Sequence, residues 1–259
     1  MFGNFCSLRS GSLLMNISLP KIAATTVVMC LGASLTCAQS PAPEEALRRA
    51  AANEEKLRAA ELEYTYRQNV LVQTIGQAGR ITDELRRVSD VITDDLGNRT
   101  EKILEYPPSR LAMRLGIARP DFKSLVGLDP FFLTPNTLPQ YSIKFVEREK
   151  IGQSDTYVFD VEPVGPRPKS TAKDDRPFSG RIWIDDREFQ IVKVEGKAVA
   201  AKDDNNAFPR FEYYRAYVDQ KWWLPSAVLA RDVLEFKRFD LSIKLEIKYT
   251  DYKRLKARK

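Results

Sequence analysis

The fold is decided by the stretch Leu241-Ser-Ile-Lys-Leu-Glu-Ile-Lys-Tyr249. Its apolar residues occupy every second position, and the positions between them hold Ser242, Lys244, Glu246 and Lys248. Successive side chains of a β-strand point to opposite faces of the sheet. The stretch therefore predicts a strand with one face in a core and the other in water.

The same alternation recurs upstream, and turn signals such as Lys150-Ile-Gly152 and Asp185-Asp186 separate the runs. Two further clear cases are Tyr141, Ile143, Phe145 and Tyr157, Phe159, Val161. About ten candidate strands follow one another in this way, and no longer repeat is present that would indicate a solenoid or propeller. We predict one curved, antiparallel sheet.

A helix is predicted before the first strand, from Pro43 to about Leu62, where Ala, Glu, Arg and Leu dominate. Its apolar residues fall within one arc at helical spacing, but most of them are alanines, which gives a shallow stripe. We therefore expect this helix to lie against the edge of something larger.

The stretch from Pro107 to Gln140 interrupts the strand pattern, because it contains six prolines while its apolar residues remain dense. Such a segment is a folded insertion rather than a linker. Its large side chains need an apolar surface, and a sheet face is the available one; they are Phe122, Leu125, Val126, Phe131, Phe132 and Leu133. We expect a lid over the sheet, and residues alone leave open whether a cavity remains beneath it.

The first 38 residues have the order of a secretory signal peptide: Arg9 and Lys21, then an apolar run from 22 to 35, then Thr36-Cys-Ala38. That run is shorter than the roughly 20 residues that span a bilayer, so a retained anchor is the weaker alternative. Cleavage is expected after Ala38, and Met15 is an alternative start. Residues 39–259 then form a single domain.

All three cysteines, Cys6, Cys30 and Cys37, lie in this leader, and the chain contains no histidine. Disulfides, thiolate nucleophiles, Cys/His metal sites and histidine-dependent triads are therefore excluded downstream of it. Three acidic pairs fall in predicted turns, where aspartate hydrogen-bonds its own backbone: Asp174-Asp175, Asp185-Asp186 and Asp203-Asp204. We consequently predict no catalytic residues, no metal and no cofactor, and a carboxylate-dependent hydrolase is a disfavoured alternative.

Other partner classes are also disfavoured. Aromatic residues interleave with Arg210 and Arg215 in a manner that could stack nucleic-acid bases, but a signal peptide takes the protein away from nucleic acid. The outward side of the 241–249 strand is charged rather than apolar, so we do not expect an integral membrane protein. The formal net charge of +6 sits partly in a C-terminal tail that we expect to be solvated.

Three motifs carry a family resemblance. They are Tyr64-Thr-Tyr-Arg-Gln-Asn-Val70 after the helix, Gly180-Arg-Ile-Trp-Ile-Asp-Asp-Arg-Glu-Phe-Gln-Ile-Val-Lys-Val-Glu-Gly196, and Trp223-Leu-Pro225. With the leader, hairpins and apolar insertion, the chain resembles the periplasmic lipoprotein carriers, the outer-membrane lipoprotein-sorting proteins of the LolA, LolB and RseB kind. The likeness spans most of residues 39–259.

The resemblance implies an α+β fold in which an open half-barrel of antiparallel strands is covered by a helical lid (about 107–140). It implies a periplasmic, non-catalytic carrier of lipid or acylated lipoprotein. The candidate ligand-binding residues are Tyr64, Tyr66, Phe122, Leu125, Phe131, Phe132, Leu133, Trp183 and Trp223. The alternative is a cell-envelope sensor or structural module that binds a protein partner and has no ligand cavity.

Overall fold

The computed structural model of the chain describes residues 41–93, 99–115, 125–126, 133–165, 176–199, 208–236 and 238–255. The chain divides into two compact units, Met1–Gln39 and Ser40–Lys259. The first unit, and with it the predicted signal peptide, lies outside the described residues. Everything below concerns the second unit.

Two α-helices and ten strands make up the described part of this unit. In chain order they are α1 (Pro43–Glu61), β1 (Tyr64–Ile75), β2 (Ile81–Thr93), β3 (Arg99–Glu105), α2 (Arg110–Leu115), β4 (Tyr141–Ile151), β5 (Ser154–Pro163), β6 (Phe178–Asp185), β7 (Ile191–Ala198), β8 (Phe211–Val218), β9 (Trp222–Phe236) and β10 (Phe239–Arg254). Short 3₁₀ turns occur at Gln77–Gly79 and Leu138–Gln140. The helix predicted from Pro43 is therefore confirmed.

The strands form one sheet in the order β3-β2-β1-β10-β9-β8-β7-β6-β5-β4, with every neighbouring pair antiparallel. Consecutive strands are neighbours except at one place, where β1 pairs with β10. Strands β3 and β4 are the two edges, so the curved sheet stays open and is not closed into a barrel. The predicted fold class is confirmed.

One face of the sheet, here called the inner face, carries the core. In β1 the even-numbered residues from Tyr64 to Thr74 are buried, and in β10 the predicted side of Leu241 to Tyr249 is buried. Strands β1, β2 and β5 to β10 all contribute buried residues to one hydrophobic cluster, which also includes Ala46 and Ala50 of α1. The opposite face, the outer face, carries most of the charged side chains of the strands.

Helix α1 crosses the strands on the inner face. Near its start, the Tyr157 hydroxyl of β5 donates a hydrogen bond to the Pro41 carbonyl oxygen at 2.8 Å. In its middle, Asn53 Nδ2 donates to the carbonyl oxygens of Glu188 and Phe189 in the β6–β7 turn, both at 3.0 Å. The shallow alanine stripe lets the helix approach the sheet closely along this path.

A glycine pair lies where β6 and β7 meet. Gly180 and Gly196 are opposite each other in the ladder, and the Phe178 side chain lies beside both. A Cβ atom on Gly196 would lie 2.3 Å from the Ser179 carbonyl oxygen and 2.5 Å from the Phe178 ring. Only glycine therefore permits Phe178 to be fully buried on the inner face at this point.

Candidate ligand-binding face

The part of the inner face nearest the β9–β10 turn is largely apolar, and the buried Thr74 hydroxyl opposite Ile243 is hydrogen-bonded to that of Thr82 at 2.7 Å. Val70 and Val72 of β1 lie opposite Ile247 and Leu245 of β10. All four are buried in the main cluster, as are Leu241 and Ile243 further along β10. The surface continues across the sheet through residues of β9, β8 and β6: Leu234, Ala230, Phe211, Phe178 and Ile182. These side chains offer no hydrogen-bonding group, so this field can only interact by burial of apolar surface.

The insertion covers this field. Its described apolar residues Leu111, Leu125, Val126 and Leu133 are buried and belong to the same cluster as the strands. The predicted packing of the insertion on the sheet is confirmed for these residues. Phe122, Phe131 and Phe132, which we also predicted to line the site, lie outside the described residues.

A band of tyrosines follows on the inner face beneath the last turns of α1. The Tyr66 ring lies 5.8 Å from that of Tyr249 and 5.3 Å from that of Tyr252. Tyr64 donates a hydrogen bond to Asp219 Oδ2 at 2.8 Å, and Tyr252 donates to the Pro225 carbonyl oxygen at 2.7 Å. This band separates the apolar field from the polar end of the sheet.

The tyrosine phenols are held in the neutral form. Burial raises the pKa of Tyr249 and of Tyr252 well above the ordinary value for tyrosine. Burial and the hydrogen bond to Asp219 raise the pKa of Tyr64 to about 12. None of these hydroxyls is therefore a candidate base near neutral pH.

A buried ion pair joins α1 to the sheet at this band. Arg215 of β8 donates through Nη2 to Glu54 Oε2 at 2.8 Å and through Nη1 to the Ile191 carbonyl oxygen at 3.1 Å. Both side chains are 1% exposed. Burial opposes the guanidinium charge, but Glu54 and Tyr213 outweigh it and raise the pKa of Arg215. Arg215 thus stays charged in an apolar setting.

A second arginine, Arg87 of β2, is 2% exposed on the inner face and pairs with Glu101 of β3. Ser89 Oγ donates to Glu101 Oε1 at 2.6 Å, and the Tyr106 ring lies 5.7 Å from the guanidinium carbon. Each of these two buried arginines thus faces a glutamate, so neither adds an uncompensated charge to the inner face.

Sequence reasoning missed both arginine–glutamate pairs, although the signals were present. Glu54 interrupts the buried stripe of α1 that runs from Ala46 to Leu57, and Arg215 continues the alternation of Phe211 and Tyr213. A charge at a core position of a helix, and one at a core position of a strand, indicate a buried pair.

The structure separates the predicted site residues into two groups. Tyr66, Leu125 and Leu133 meet in the main inner cluster. Tyr64 is buried beside it with Leu57 and Leu224. Trp183 and Trp223 lie instead on the outer face, in a small cluster with Val158 and Val192.

Strand alternation explains why the two tryptophans do not join the inner residues. Ile182 and Ile184 take the inner positions of β6, so Trp183 between them points outward. There its Nε1 donates to Glu149 Oε2 at 2.8 Å, and Lys193 Nζ lies 4.5 Å from its ring centre. The sequence Ile-Trp-Ile predicts a strand but does not say which side is buried, and our placement of these tryptophans beside the inner site residues is corrected.

A polar groove of about 570 Å³ lies on the outer face, over β4 to β7. Arg181 Nε donates to Asp160 Oδ1 at 2.8 Å, and Arg210 Nη2 donates to Glu195 Oε1 at 3.1 Å. This hydrogen bond to the Asp160 carboxylate is the main cause of a raised pKa for Arg181. Cations and anions here alternate from strand to strand and satisfy one another, so the groove is a structural ladder of charges.

Of the three acidic pairs, the structure describes Asp185-Asp186. Asp185 Oδ1 accepts the backbone N–H groups of Arg187 and Glu188 at 3.0 and 2.7 Å, which is the turn role that we predicted. Asp174-Asp175 and Asp203-Asp204 lie outside the described residues. Within the described ranges, no three His, Cys, Asp or Glu residues gather as metal ligands would, and no helix is long and apolar enough to cross a membrane.

Several solved structures resemble the chain. A LolA superfamily protein from Nitrosomonas europaea matches 85% of this chain and 96% of its own at 11% identity, with a TM-score of 0.34. A putative outer membrane lipoprotein-sorting protein domain from Vibrio parahaemolyticus matches 84% and 95% at 10% identity, with a TM-score of 0.37. The MucA/MucB complex of Pseudomonas aeruginosa matches 83% and 99% at 10% identity, with a TM-score of 0.25.

These neighbours are LolA-like and MucB-like. They are the kinds of protein that the sequence resembles, so the predicted resemblance is confirmed as a resemblance. At such identities the likeness concerns the fold. No family model and no curated protein matches the chain.

Proposed function

We propose that this protein is a non-catalytic, extracytoplasmic binder or carrier of lipid or lipidated protein. The observation that supports this most is the apolar field of the inner face, with the insertion packed over it. An acyl chain that enters between the insertion and this field gains about 0.8 kcal/mol for each CH₂ group it buries, less the cost of exposing any insertion side chain that it displaces. Useful and reversible affinity then needs no cofactor, metal or catalytic group.

The polar groups of the inner face fit this role. Arg87 and Arg215 are each compensated by a glutamate, and the Tyr249 and Tyr252 phenols stay neutral. A bound chain would therefore meet no unpaired charge whose desolvation opposes binding. Release requires only that the insertion side chains return to the field that they already cover.

The extracytoplasmic location in this proposal rests on the order of the first 38 residues. Export can be measured by expressing the full chain and comparing the intact mass of the protein in the periplasmic and cytoplasmic fractions. Cleavage after Ala38 is expected in the periplasmic fraction. A chain that stays uncleaved in the cytoplasm contradicts this part of the proposal.

Native mass spectrometry of the exported protein, before and after extraction with organic solvent, tests the ligand directly. Extra mass that extraction removes is the expected result, and a fluorescent acyl probe should then bind the extracted protein. A bare mass together with no probe binding would overturn the carrier proposal.

A pair of variants locates the binding surface. Leu133→Arg places a charge beneath the insertion and should weaken probe binding at least tenfold, since an unpaired buried charge is strongly disfavoured. Leu229→Arg makes the same change on the outer face, where the side chain is already exposed, and should leave binding unchanged. Circular dichroism checks that both variants keep the fold. Equal binding of the probe by both variants would show that the site is not on the inner face.

The second candidate is an envelope module that binds a protein partner without a ligand cavity. The observation favouring it is the deep burial of Leu111, Val126 and Leu133, which already fill part of the inner face. A bare mass, no probe binding and stable capture of one envelope protein would select this candidate.

A further inference from the structure

Helix α2, which belongs to the insertion, and the β9–β10 turn form one rim. Ser109 Oγ donates to the Glu84 carbonyl oxygen at 2.8 Å and so fixes the start of α2 on β2. At the other side of the rim, the Arg114 guanidinium carbon lies 5.3 Å from the centre of the Phe239 ring. The rim comprises Tyr106, Arg110, Met113, Arg114, Arg238 and Phe239.

The rim exposes large apolar side chains. Leu111 of α2 is buried in the inner cluster, whereas Met113 on the other side of the same helix is 77% exposed. Phe239 stacks on Phe236 at 4.9 Å but still keeps 37% of its surface exposed, and so does Tyr106. Soluble surfaces seldom place several such side chains around one edge without a partner.

Three exposed arginines accompany these apolar groups. Arg110, Arg114 and Arg238 are exposed, and within the described part of the chain no carboxylate lies at salt-bridge distance from them. The nearest acidic residues of the turn are Glu235 and Asp240. They lie opposite each other in the β9–β10 ladder with their side chains on the outer face, away from Phe236 and Phe239. The rim is therefore basic as well as apolar.

We propose that this rim docks on an anionic lipid bilayer. Met113 and Phe239 would enter the interface between headgroups and acyl chains, while the three guanidinium groups would pair with lipid phosphates, which guanidinium binds well. A bilayer suits a rim of projecting apolar tips set among cations, whereas a protein partner would need a pocketed or extended apolar surface. This surface can be tested separately from the proposed ligand site, because its three arginines are exposed whereas the insertion side chains Leu125 and Leu133 are buried in the inner cluster.

Vesicle binding by the exported protein tests this proposal. We expect cosedimentation with vesicles that contain phosphatidylglycerol, little with pure phosphatidylcholine vesicles, and weakening as salt is raised. Each guanidinium near an anionic surface contributes about a fivefold gain in affinity, so the triple variant R110E/R114E/R238E should lose binding by on the order of a hundredfold or more.

The opposite end of the sheet supplies a matched control. K150E/R187E/K253E makes the same change of charge at exposed positions near the β4–β5 turn, in the β6–β7 turn and near the end of β10. This variant should retain vesicle binding within a few-fold, since its substitutions change only the electrostatic potential far from the rim, which salt screens. Similar losses of vesicle binding in both triple variants would show that net charge alone drives binding, and would contradict docking through the rim.

A reporter makes the contact visible. The three native tryptophans, Trp183, Trp222 and Trp223, lie far from the rim at the other end of the sheet, so Met113→Trp adds a distinct probe. Its emission should shift to the blue on phosphatidylglycerol vesicles and be quenched by brominated lipid. No vesicle binding, or an unshifted Met113→Trp emission on bound vesicles, overturns the proposal. Loss of an envelope protein from the R110E/R114E/R238E variant without vesicle binding by the parent would assign the rim to a protein partner instead.

The Leu133→Arg variant keeps this proposal distinguishable from the proposed function. It should lose acyl-probe binding and still bind vesicles, because its substitution lies under the insertion and not on the rim. If the protein binds vesicles through the rim but carries no lipid, the docking proposal is supported and the carrier proposal fails.

Discussion

Arg215 and Glu54 place a complete ion pair beneath α1, where water cannot solvate either charge. Such a pair adds little net stability compared with apolar side chains of the same size, because both charges pay for desolvation. We expect its effect to be specificity, because only one position of α1 along the inner face brings the carboxylate to the guanidinium. The alanine stripe alone would permit the helix to slide.

Substitution of one partner of this pair should be costly. Arg215→Met leaves Glu54 buried without its partner and should lower the free energy of unfolding by about 3–5 kcal/mol. The double variant E54L/R215M removes both charges and should recover most of that loss. Urea denaturation of the three proteins measures this. A double variant as unstable as Arg215→Met would mean that packing, not charge, holds the helix here.

The buried tyrosines predict an alkaline limit to stability. Tyr64 has a folded-state pKa of about 12 against an ordinary 10, so the folded form binds that proton more tightly. Its contribution to stability is complete below about pH 10 and is lost as the pH rises toward about 12. Tyrosinate absorbance and circular dichroism should change together in that interval. Ionisation of all tyrosines near pH 10 in a protein that remains folded would contradict this.

The meeting of β6 and β7 depends on its two glycines. Because a Cβ on Gly196 would collide with both the Ser179 carbonyl and the Phe178 ring, the strands could not keep their spacing with Phe178 turned inward. This places a structural requirement on the same Gly180–Gly196 stretch that carries the family resemblance.

Gly196→Ala should therefore destabilise the protein by about 1–3 kcal/mol through overpacking. Lys197→Ala, at the neighbouring exposed position, serves as the control and should change stability by less than about 0.5 kcal/mol. Thermal unfolding of the two variants measures the difference. Equal midpoints would show that the Phe178 side chain can move aside at little cost.

The sequence predicted elements with strong local patterns and missed features that depend on distant partners. The alternation from Leu241 to Tyr249 and the alanine-rich stretch after Pro43 each specify their own structure, because a period of two or of 3.6 residues is visible locally. The outward position of Trp183 depends on which side of Ile-Trp-Ile meets the core. The partner of Glu54 depends on a residue 161 positions away.

Local sequence patterns did not predict the order of the strands in the sheet either. Nothing in Tyr64–Ile75 indicates that its second neighbour is the last strand of the chain, since hairpin signals describe only consecutive strands. The insertion was more accessible: Leu125 and Leu133 are apolar residues in a proline-rich segment, and burial was their only stable outcome. Whether space remains beneath them is set by side-chain packing that no pattern encodes.

The first and last strands in chain order, β1 and β10, are neighbours in the interior of the sheet. Strand β10 hydrogen-bonds to β1 on one side and to β9 on the other, so its loss would divide the sheet into two parts with new edges. Each part would expose unpaired backbone groups and an apolar inner face.

A chain that ends at Arg238 should therefore fail to fold and should aggregate. A chain that ends at Leu255 keeps all of β10 and the hydrogen bond from the Leu255 N–H to the Glu63 carbonyl oxygen at 2.7 Å. We expect this control to fold with an unchanged thermal midpoint. Gel filtration and circular dichroism compare the two, and a soluble, folded product of the shorter chain would contradict the central role of β10.

The position of β10 also determines when the sheet can be completed during synthesis. A polypeptide is made from its N-terminus, so β1 is synthesised long before the strand that must lie beside it. The three-stranded unit β1–β3 waits with one side unpaired until the final segment arrives, and contacts of such long sequence separation form slowly. The complete sheet can therefore form only after β10 has been synthesised.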